Sequence, residues 1–283
     1  MGNGKLCGEV APNNIFSMPA RYDSTQIKQF AESVISDGFC ILPGHFSAEK
    51  LDRWRRSFLP LLERHIAREG HLQNRGPARY YVTLPFTDPF ADPDIYEDDD
   101  VLAIVGQLVG TDAVMCQLAS DTPILGSTTQ EIHRDALPLF PETGTETPPF
   151  QLAVNFPLVD VRIENGPFEV ARRTHMMSKE EGLRRLEHGE LTLEPITLKL
   201  GDVMVRDVRG LHRGTPNRTE EPRPMIVIGY SRRWLFRPEV SIDIPRATFD
   251  KLSSRARELL RFNPIVDSLD ELPDVERYQS FAY

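Results

Sequence analysis

Apolar side chains near the start of the chain recur at helical spacing. Five of them follow the i, i+3, i+4, i+7, i+8 pattern, namely Ile27, Phe30, Ala31, Val34 and Ile35. This pattern predicts an amphipathic helix with one buried face. Asp23 or Ser24 is placed to cap its first turn, and Gly38 is placed to end it. The short apolar run at residues 39–43 has turn residues on both sides and predicts a strand.

Two further helices are predicted before residue 113. The first of these starts at Ser47, and its apolar positions are Leu51, Trp54, Phe58, Leu61 and Leu62. Pro60 lies inside the pattern, so we expect it to kink or split the helix. After a strand at residues 79–84, the other helix has its apolar positions at Val101, Leu102, Ile104, Val105 and Leu108. The acidic run at residues 97–100 lies at the start of that helix, where carboxylates interact favourably with the positive end of the helix dipole. A calcium-binding loop is the alternative interpretation of this run.

From residue 113 onward the chain shows short apolar segments separated by turn residues. The segments are residues 114–118, 150–159, 168–171, 193–198, 203–205 and 225–230. This rhythm predicts an antiparallel sandwich or barrel rather than alternating βαβ units. Ser178 and Glu181 form a capping box that opens a short helix over residues 179–186. A last amphipathic helix is predicted from Phe249, Leu252, Ala256, Leu259 and Leu260.

We therefore predict a mainly β fold with flanking helices, organised as a single domain over residues 1–283. It consists of an irregular arm at residues 1–22, a helical N-terminal buttress, a β core at residues 113–234 and a helical tail at residues 235–283. The amphipathic tail helix must bury its apolar face, either as a lid on a pocket or as a homodimer contact. Both roles stay open.

Charge and composition narrow the class of partner. The 283 residues carry a net charge of −9, which argues against a nucleic-acid partner because such proteins need a basic face. We expect no membrane span, since no apolar run approaches the required length. The three cysteines show no CxxC spacing, which is typical of a reducing compartment. The sequence therefore predicts a cytoplasmic protein that acts on a small molecule.

Candidate chemistry is concentrated in the seven histidines. Two of them belong to His-x-Asp/Glu patterns, His133–Asp135 and His188–Glu190, although one such pattern is expected by chance. We prefer His133–Asp135 because side chains at i and i+2 of a strand face the same way. His188 lies at the end of a polar helix, where this spacing points side chains apart.

A third metal ligand is supplied by a strand that runs into a turn and ends at His212. Two histidines and one carboxylate that leave the opposite face of a metal open form the site of non-haem Fe(II) oxygenases. Arg223 follows His212 by eleven residues and directly precedes the last predicted strand. Its planar guanidinium is suited to binding a carboxylate with two parallel hydrogen bonds.

In these motifs the sequence resembles the phytanoyl-CoA dioxygenase family of iron- and 2-oxoglutarate-dependent oxygenases. His133-x-Asp135 matches the iron motif of the family, and His212 with Arg223 matches its distal histidine and the arginine that follows. The segment at residues 164–167, followed by His175, resembles the family's "NG…GSH" segment, with residues 172–174 departing from the usual Pro-Gly-Ser. The likeness extends from residue 37 to residue 234.

The resemblance implies a double-stranded β-helix, which is a cupin-like jelly roll. It implies Fe(II) held by His133, Asp135 and His212, with 2-oxoglutarate and O2 as cosubstrates, Arg223 on the distal carboxylate, and ascorbate as a stimulant of turnover. The reaction would couple conversion of 2-oxoglutarate to succinate and CO2 with hydroxylation or desaturation of a small molecule, for which we favour a natural-product intermediate. The alternatives are a cupin-like barrel that only binds a small molecule, and a non-redox metal-dependent isomerase or hydrolase.

Further pocket residues carry no fixed motif. We expect Gln117 and Thr83 to contact 2-oxoglutarate, and Tyr81 to face the same cavity. Phe140 and Trp234 are candidate apolar walls for the substrate. Two arginines, Arg134 and Arg206, are left open between contact with an anionic substrate and plain exposure.

Overall fold

The computed structural model describes residues 20–69, 75–144, 146–237 and 240–269. Most of the predicted arm at residues 1–22, and the end of the predicted tail at residues 270–283, lie outside the described residues. In the part of the chain that is described, no helix is both long enough and apolar enough to cross a membrane.

Seven helices and eleven strands are numbered here along the described chain. The helices are α1 (Ser24–Asp37), α2 (Ala48–Glu69), α3 (Pro93–Tyr96), α4 (Asp99–Val109), α5 (Lys179–Glu187), α6 (Arg246–Phe249) and α7 (Ser254–Leu259). The strands are β1 (Phe39–Leu42), β2 (Arg79–Thr83), β3 (Val114–Pro123), β4 (Gln151–Pro157), β5 (Phe168–Val170), β6 (Glu194–Ile196), β7 (Val203–Asp207), β8 (His212–Gly214), β9 (Met225–Ser231), β10 (Ile244–Pro245) and β11 (Ile265–Val266).

Two antiparallel sheets form the centre of the molecule. The larger has six strands in the order β1-β7-β4-β9-β3-β2, and the smaller has three in the order β6-β5-β8. Strands that are neighbours in a sheet are far apart in the sequence, as in a jelly roll. The predicted mainly β core with flanking helices is therefore confirmed.

Alternation along the central strands separates two faces of the larger sheet. On β4, Leu152, Val154 and Phe156 join the main hydrophobic cluster, which also contains buried residues of α1, α2 and α4. The intervening Ala153 and Asn155 line a cleft on the opposite face, towards the smaller sheet. Because side chains of a strand alternate between faces, one strand serves both the core and the cleft.

Helix α1 forms as its sequence predicts. The Asp23 side chain accepts hydrogen bonds from the backbone N–H groups of Thr25 and Gln26, both at 2.8 Å, and thus caps the first turn. Gly38 ends the helix with φ of +95°, a left-handed conformation that glycine adopts without strain. The backbone N–H of Gly38 bonds the Val34 carbonyl at 3.0 Å.

Helix α2 continues through Pro60, so of the two predicted effects of this proline the split does not occur. The chain stays helical on both sides of the proline, and the side chains of Trp54, Phe58 and Leu62 are all buried in the main cluster. Packing of this shared apolar face outweighs the lost backbone hydrogen bond.

The acidic run before α4 acts as a cap. The Asp98 carboxylate accepts a hydrogen bond from the Val101 N–H at 2.9 Å and another from His45 Nε2 at 2.9 Å. Asp100 accepts from the Arg21 N–H at 2.8 Å. These contacts bear out the capping interpretation.

The single tail helix predicted around residues 249–260 is wrong. The Ser253 hydroxyl accepts from the Ala256 N–H at 2.9 Å and starts a new helix, so α6 and α7 are separate. Ala256, Leu259 and Leu260 are buried in the main cluster, and the Asn263 amide donates to the Met115 carbonyl on β3 at 2.8 Å. The described part of the tail therefore buries its apolar face against the chain's own core.

Trp54 provides a direct test of this packing, because its side chain is fully buried against Phe90 and Phe156 with ring centroids 5.2 and 5.5 Å away. We expect Trp54→Ala to lower the free energy of unfolding by about 3–5 kcal/mol, as measured by urea denaturation. Ile35→Ala is the matched control, since Ile35 is 55% exposed on α1 and its loss should change stability by less than about 0.5 kcal/mol. Equal effects of the two substitutions would contradict the assigned core.

Candidate metal centre

The backbone itself brings the two predicted histidine ligands together. His133 N–H donates to the His212 carbonyl at 2.9 Å, and His212 N–H donates to the His133 carbonyl at 3.0 Å. This isolated antiparallel bridge joins the segment after β3 to the start of β8. The two imidazole centroids are consequently only 4.3 Å apart.

Each imidazole is held in one tautomer by its own chain. Nδ1 of His133 donates to the Glu131 carbonyl at 2.8 Å, and Nδ1 of His212 donates to the Gly210 carbonyl at 2.9 Å. Since a carbonyl oxygen can only accept, the proton of the neutral ring lies on Nδ1 in both cases. The lone pair is then on Nε2, which is the atom that faces the partner residues.

Asp135 completes the group. Its N–H donates to the Val208 carbonyl at 3.0 Å, and its Oδ1 lies 3.4 Å from His212 Nε2 and 3.8 Å from His133 Nε2. Single donor atoms of the three side chains all lie within 4.8 Å of one another. Two nitrogens and one oxygen at this separation fit around one divalent ion with ligand bonds near 2 Å.

The charges around the site favour the ligand forms of these side chains. Burial, reinforced by the neighbouring His212, lowers the pKa of His133 from 6.5 to about 4, so its ring is neutral at neutral pH. Burial would raise the pKa of Asp135, but its interactions with His212 and with the cationic Arg206 outweigh burial and hold that pKa well below its ordinary value. Asp135 is therefore ionised, as a metal ligand must be.

A cleft of about 820 Å³, counting the space open to solvent, runs from this group into the space between the two sheets. His133, Asp135 and His212 lie on its wall together with Arg223. The side chains of His133 and Asp135 keep 21% and 25% of their surface exposed, whereas Arg223 is only 2% exposed. His133 and Asp135 are thus more exposed to solvent than Arg223, whereas His212 is 4% exposed.

Arg223 presents a buried positive charge to this cleft. Its Nη2 donates to the Gly166 carbonyl at 2.7 Å, while its buried Nε has no hydrogen-bond partner among the described residues. Burial lowers the pKa of Arg223 to about 10, which still leaves the guanidinium protonated at neutral pH. The nearby Asp121 is already paired with the buried Arg79 at 2.9 Å.

Gln117 and Tyr81 lie where the sequence predicts them. Both line the cleft, and the Gln117 amide donates to the Tyr81 hydroxyl. The contact joins two neighbouring strands. Tyr81 lies on β2 and is paired with Asp121 on β3, and Gln117 lies on β3 as well.

Three further predicted pocket residues are not among the residues that line this cleft. Thr83 is paired with Ala119 further along β2 and does not line the cleft. Phe140 is 52% exposed in the loop that precedes β4, and Trp234 is 60% exposed in the turn after β9. Neither aromatic ring reaches the cleft wall, because the loop and the turn direct them to solvent.

The prediction missed Asn155 and left Arg206 undecided. Asn155 on β4 and Arg206 on β7 are both buried and both line the cleft. Asn155 lies between Val154 and Phe156, and Arg206 follows an apolar run at residues 203–205, so a polar side chain beside buried apolar ones is the signal that could have revealed them. Arg134, by contrast, is buried in an ion pair with Glu146 at 2.8 Å and does not line the cleft.

The segment with His175 supports the strand that carries His212. The Thr174 hydroxyl accepts a hydrogen bond from the Leu211 N–H at 2.8 Å, and His175 Nε2 donates to the Ile35 carbonyl on α1 at 2.9 Å. His175 is buried and lies apart from the three grouped ligand atoms. The departure from the family at residues 172–174 therefore leaves the site intact.

Two facing antiparallel sheets with two imidazoles and a carboxylate at the cleft between them define the architecture of a non-haem iron oxygenase. Residues 35–225 match the phytanoyl-CoA dioxygenase (PhyH) family, and the chain belongs to this family. It is accordingly an Fe(II)/2-oxoglutarate-dependent enzyme with Fe(II), 2-oxoglutarate and O2 as its cofactor and cosubstrates.

Solved structures share the fold. The non-heme alpha ketoglutarate dependent epimerase SnoN from nogalamycin biosynthesis is 18% identical with a TM-score of 0.56, over 74% of this chain and 84% of SnoN. HygX from Streptomyces hygroscopicus, solved with nickel, 2-oxoglutarate and hygromycin B, is 19% identical with a TM-score of 0.56, over 74% and 88%. AviO1 from Streptomyces viridochromogenes Tue57 is 20% identical with a TM-score of 0.57, over 73% and 95%. The predicted jelly roll is confirmed.

His175 should make stability depend on pH. Burial lowers its pKa below 6.5, so the unfolded chain binds the proton more tightly than the folded one. The stabilisation is complete above about pH 6.5 and shrinks as the pH falls towards the folded-state pKa. Between about pH 7.5 and about pH 5, we expect the free energy of unfolding to fall less in His175→Gln than in the parent protein. The difference between the two losses should be at most about 2 kcal/mol. Urea denaturation of both proteins at the two pH values measures the free energy of unfolding.

The control for this experiment is His188→Gln, since His188 is exposed at the end of α5. That variant should keep the pH dependence of the parent protein. Identical pH dependence in His175→Gln and the parent protein would show that His175 is not the linked group.

Proposed function

We propose that His133, Asp135 and His212 hold the ferrous ion of this enzyme. The observation that carries the proposal is the convergence of both Nε2 atoms and the Asp135 carboxylate, with each tautomer set by a backbone carbonyl. Three protein ligands leave the remaining positions of an octahedral ion open to the cleft. When bound there, the iron supplies the oxygen chemistry, while the chain positions the reactants and limits access of water.

Arg223 is proposed to bind the distal carboxylate of 2-oxoglutarate. It is a buried cation of the cleft wall, its protonated guanidinium has a buried Nε without a partner in the described chain, and its Nη2 is fixed on the Gly166 carbonyl. A guanidinium forms two parallel hydrogen bonds with a carboxylate, which suits this role. Gln117 and Tyr81 lie on the same cleft wall and are proposed as further contacts of the bound molecules.

The substrate is proposed to be a small organic molecule, an intermediate of natural-product biosynthesis, which is hydroxylated or desaturated within the single domain. The solved structures of similar fold support this choice, since SnoN belongs to nogalamycin biosynthesis and HygX was solved with hygromycin B. SnoN is described as an epimerase, so the similar structures leave the type of oxidation to experiment.

Anaerobic titration tests the metal site. Adding Fe(II) and then 2-oxoglutarate should produce a visible charge-transfer band from the chelate, because the keto acid binds the ion through two oxygens. We expect His133→Ala to abolish the band, since one of three protein ligands is lost. His188→Ala is the matched control, because it removes the other His-x-acid pattern from an exposed position and should leave the band unchanged. A non-redox barrel would give no band, and the proposal would then be wrong.

Arg223→Ala tests the second part. We expect the dissociation constant of 2-oxoglutarate to rise about 10- to 100-fold, since hydrogen bonds to charged groups contribute about 1.5–3 kcal/mol each. Affinity for the metal alone should change little, because Arg223 forms no hydrogen bond or ion pair with the three ligand side chains among the described residues. The exposed Arg218→Ala is the control. Equal loss of metal and 2-oxoglutarate affinity, or no loss of either, would contradict the role.

A further inference from the structure

Arg206 is held rigidly beside the metal-binding group. Its Nη2 donates to Asp135 Oδ2 at 2.5 Å, and its Nε donates to Asn155 Oδ1 at 3.1 Å. Its Cζ lies 5.1 Å from the centroid of the Phe168 ring on β5. Two hydrogen bonds and a ring contact, from three different segments of the chain, fix both the position and the plane of the guanidinium.

One nitrogen of this guanidinium lacks an acceptor. Arg206 is 92% buried on the cleft wall, and Nη1 has no hydrogen-bond partner among the described residues. A buried donor of a charged group that is left unpaired is destabilising, so such atoms are normally satisfied by the protein, by water or by a ligand. Because the plane of the group is fixed, Nη1 cannot turn away to another partner, and it marks a position for an acceptor in the cleft.

The chemistry of that acceptor follows from its surroundings. A guanidinium prefers the oxygens of a carboxylate, and Arg206 already uses one nitrogen on the carboxylate of Asp135. Asp135 Oδ1 faces the two histidines while Oδ2 lies on Arg206, so a group that contacts Nη1 lies next to the metal position. Arg223 is anchored elsewhere, on the Gly166 carbonyl, and is assigned to the remote end of the cosubstrate.

We propose that Arg206 Nη1 binds the carboxylate next to the keto group of 2-oxoglutarate, while its Nη2 keeps Asp135 Oδ1 directed at the metal. The two ends of the cosubstrate are then held by two arginines, Arg223 at the remote end and Arg206 at the keto-acid end. This inference rests on the proposed function, and it makes Arg206 a residue that binds the cosubstrate and positions a ligand. A carboxylate of the substrate is the other source of the same chemistry.

A comparison of two keto acids shows which end of the cosubstrate each arginine contacts. Pyruvate has the keto-acid end of 2-oxoglutarate and lacks the remote carboxylate. Calorimetric titration of the full chain, loaded with Ni(II) as an inert substitute for iron, measures the affinity of each. We expect Arg206→Gln to weaken 2-oxoglutarate and pyruvate alike by about 10-fold or more. Arg223→Ala, the matched control, should weaken only 2-oxoglutarate.

Each other result overturns the inference. Unchanged affinity for both keto acids in Arg206→Gln would show that Nη1 serves another molecule, such as a substrate carboxylate. Loss of 2-oxoglutarate with full retention of pyruvate would place Arg206 at the wrong end of the cosubstrate. A fall in Ni(II) affinity with normal keto-acid binding at saturating metal would limit Arg206 to positioning Asp135.

A second variant distinguishes a direct loss of keto-acid binding from damage to the metal site. Arg206→Lys keeps a positive charge beside Asp135 but lacks the planar fork, so it should hold Ni(II) and still bind both keto acids more weakly. Full keto-acid affinity in this variant would refute the role of Nη1. If the parent protein binds neither Ni(II) nor 2-oxoglutarate, the proposed function is wrong. If the parent protein binds both and the Arg206 variants bind them equally well, only the inference about Arg206 is wrong.

Discussion

The reciprocal pair of backbone hydrogen bonds between His133 and His212 is the constraint on which the site depends. It sets the separation of the imidazoles through the main chain, before any ion is considered. The same two segments also fix both tautomers, since each Nδ1 bonds a carbonyl two residues earlier in its own chain. Metal binding at such a group requires little ordering of the protein, which favours high affinity.

A buried ionic network keeps this pair in place. Arg209 and Asp207 have fully buried side chains and pair at 2.7 Å just before β8, and Arg209 also reaches Glu146 at 3.2 Å. Glu146 in turn binds Arg134, which lies between His133 and Asp135 in the chain. Removing one member of such a network would leave an uncompensated buried charge. The loop after Asp135 and the turn before His212 are therefore tied to each other by electrostatics as well as by the backbone.

Short-range sequence patterns and ordered family motifs explain which features of the structure could be predicted from the sequence. The capping of α1 by Asp23 follows from short-range spacing, whereas the grouping of His133, Asp135 and His212 is predicted by the ordered motifs of the family. The structure shows the cap and places the three side chains together. The break in the tail helix at Ser253 depends on a local cap that competes with a continuous apolar pattern. Arg206 was left undecided because strand register, which determines the face a side chain occupies, is a long-range property.

The unequal depth of the two cleft features has a consequence for the order of events. Arg223 is almost completely enclosed, whereas His133 and Asp135 lie nearer to the opening. A molecule held on the proposed arginine anchor would lie further from solvent than one held beside His133 and Asp135, so an outer molecule would have to leave before the inner one could exchange.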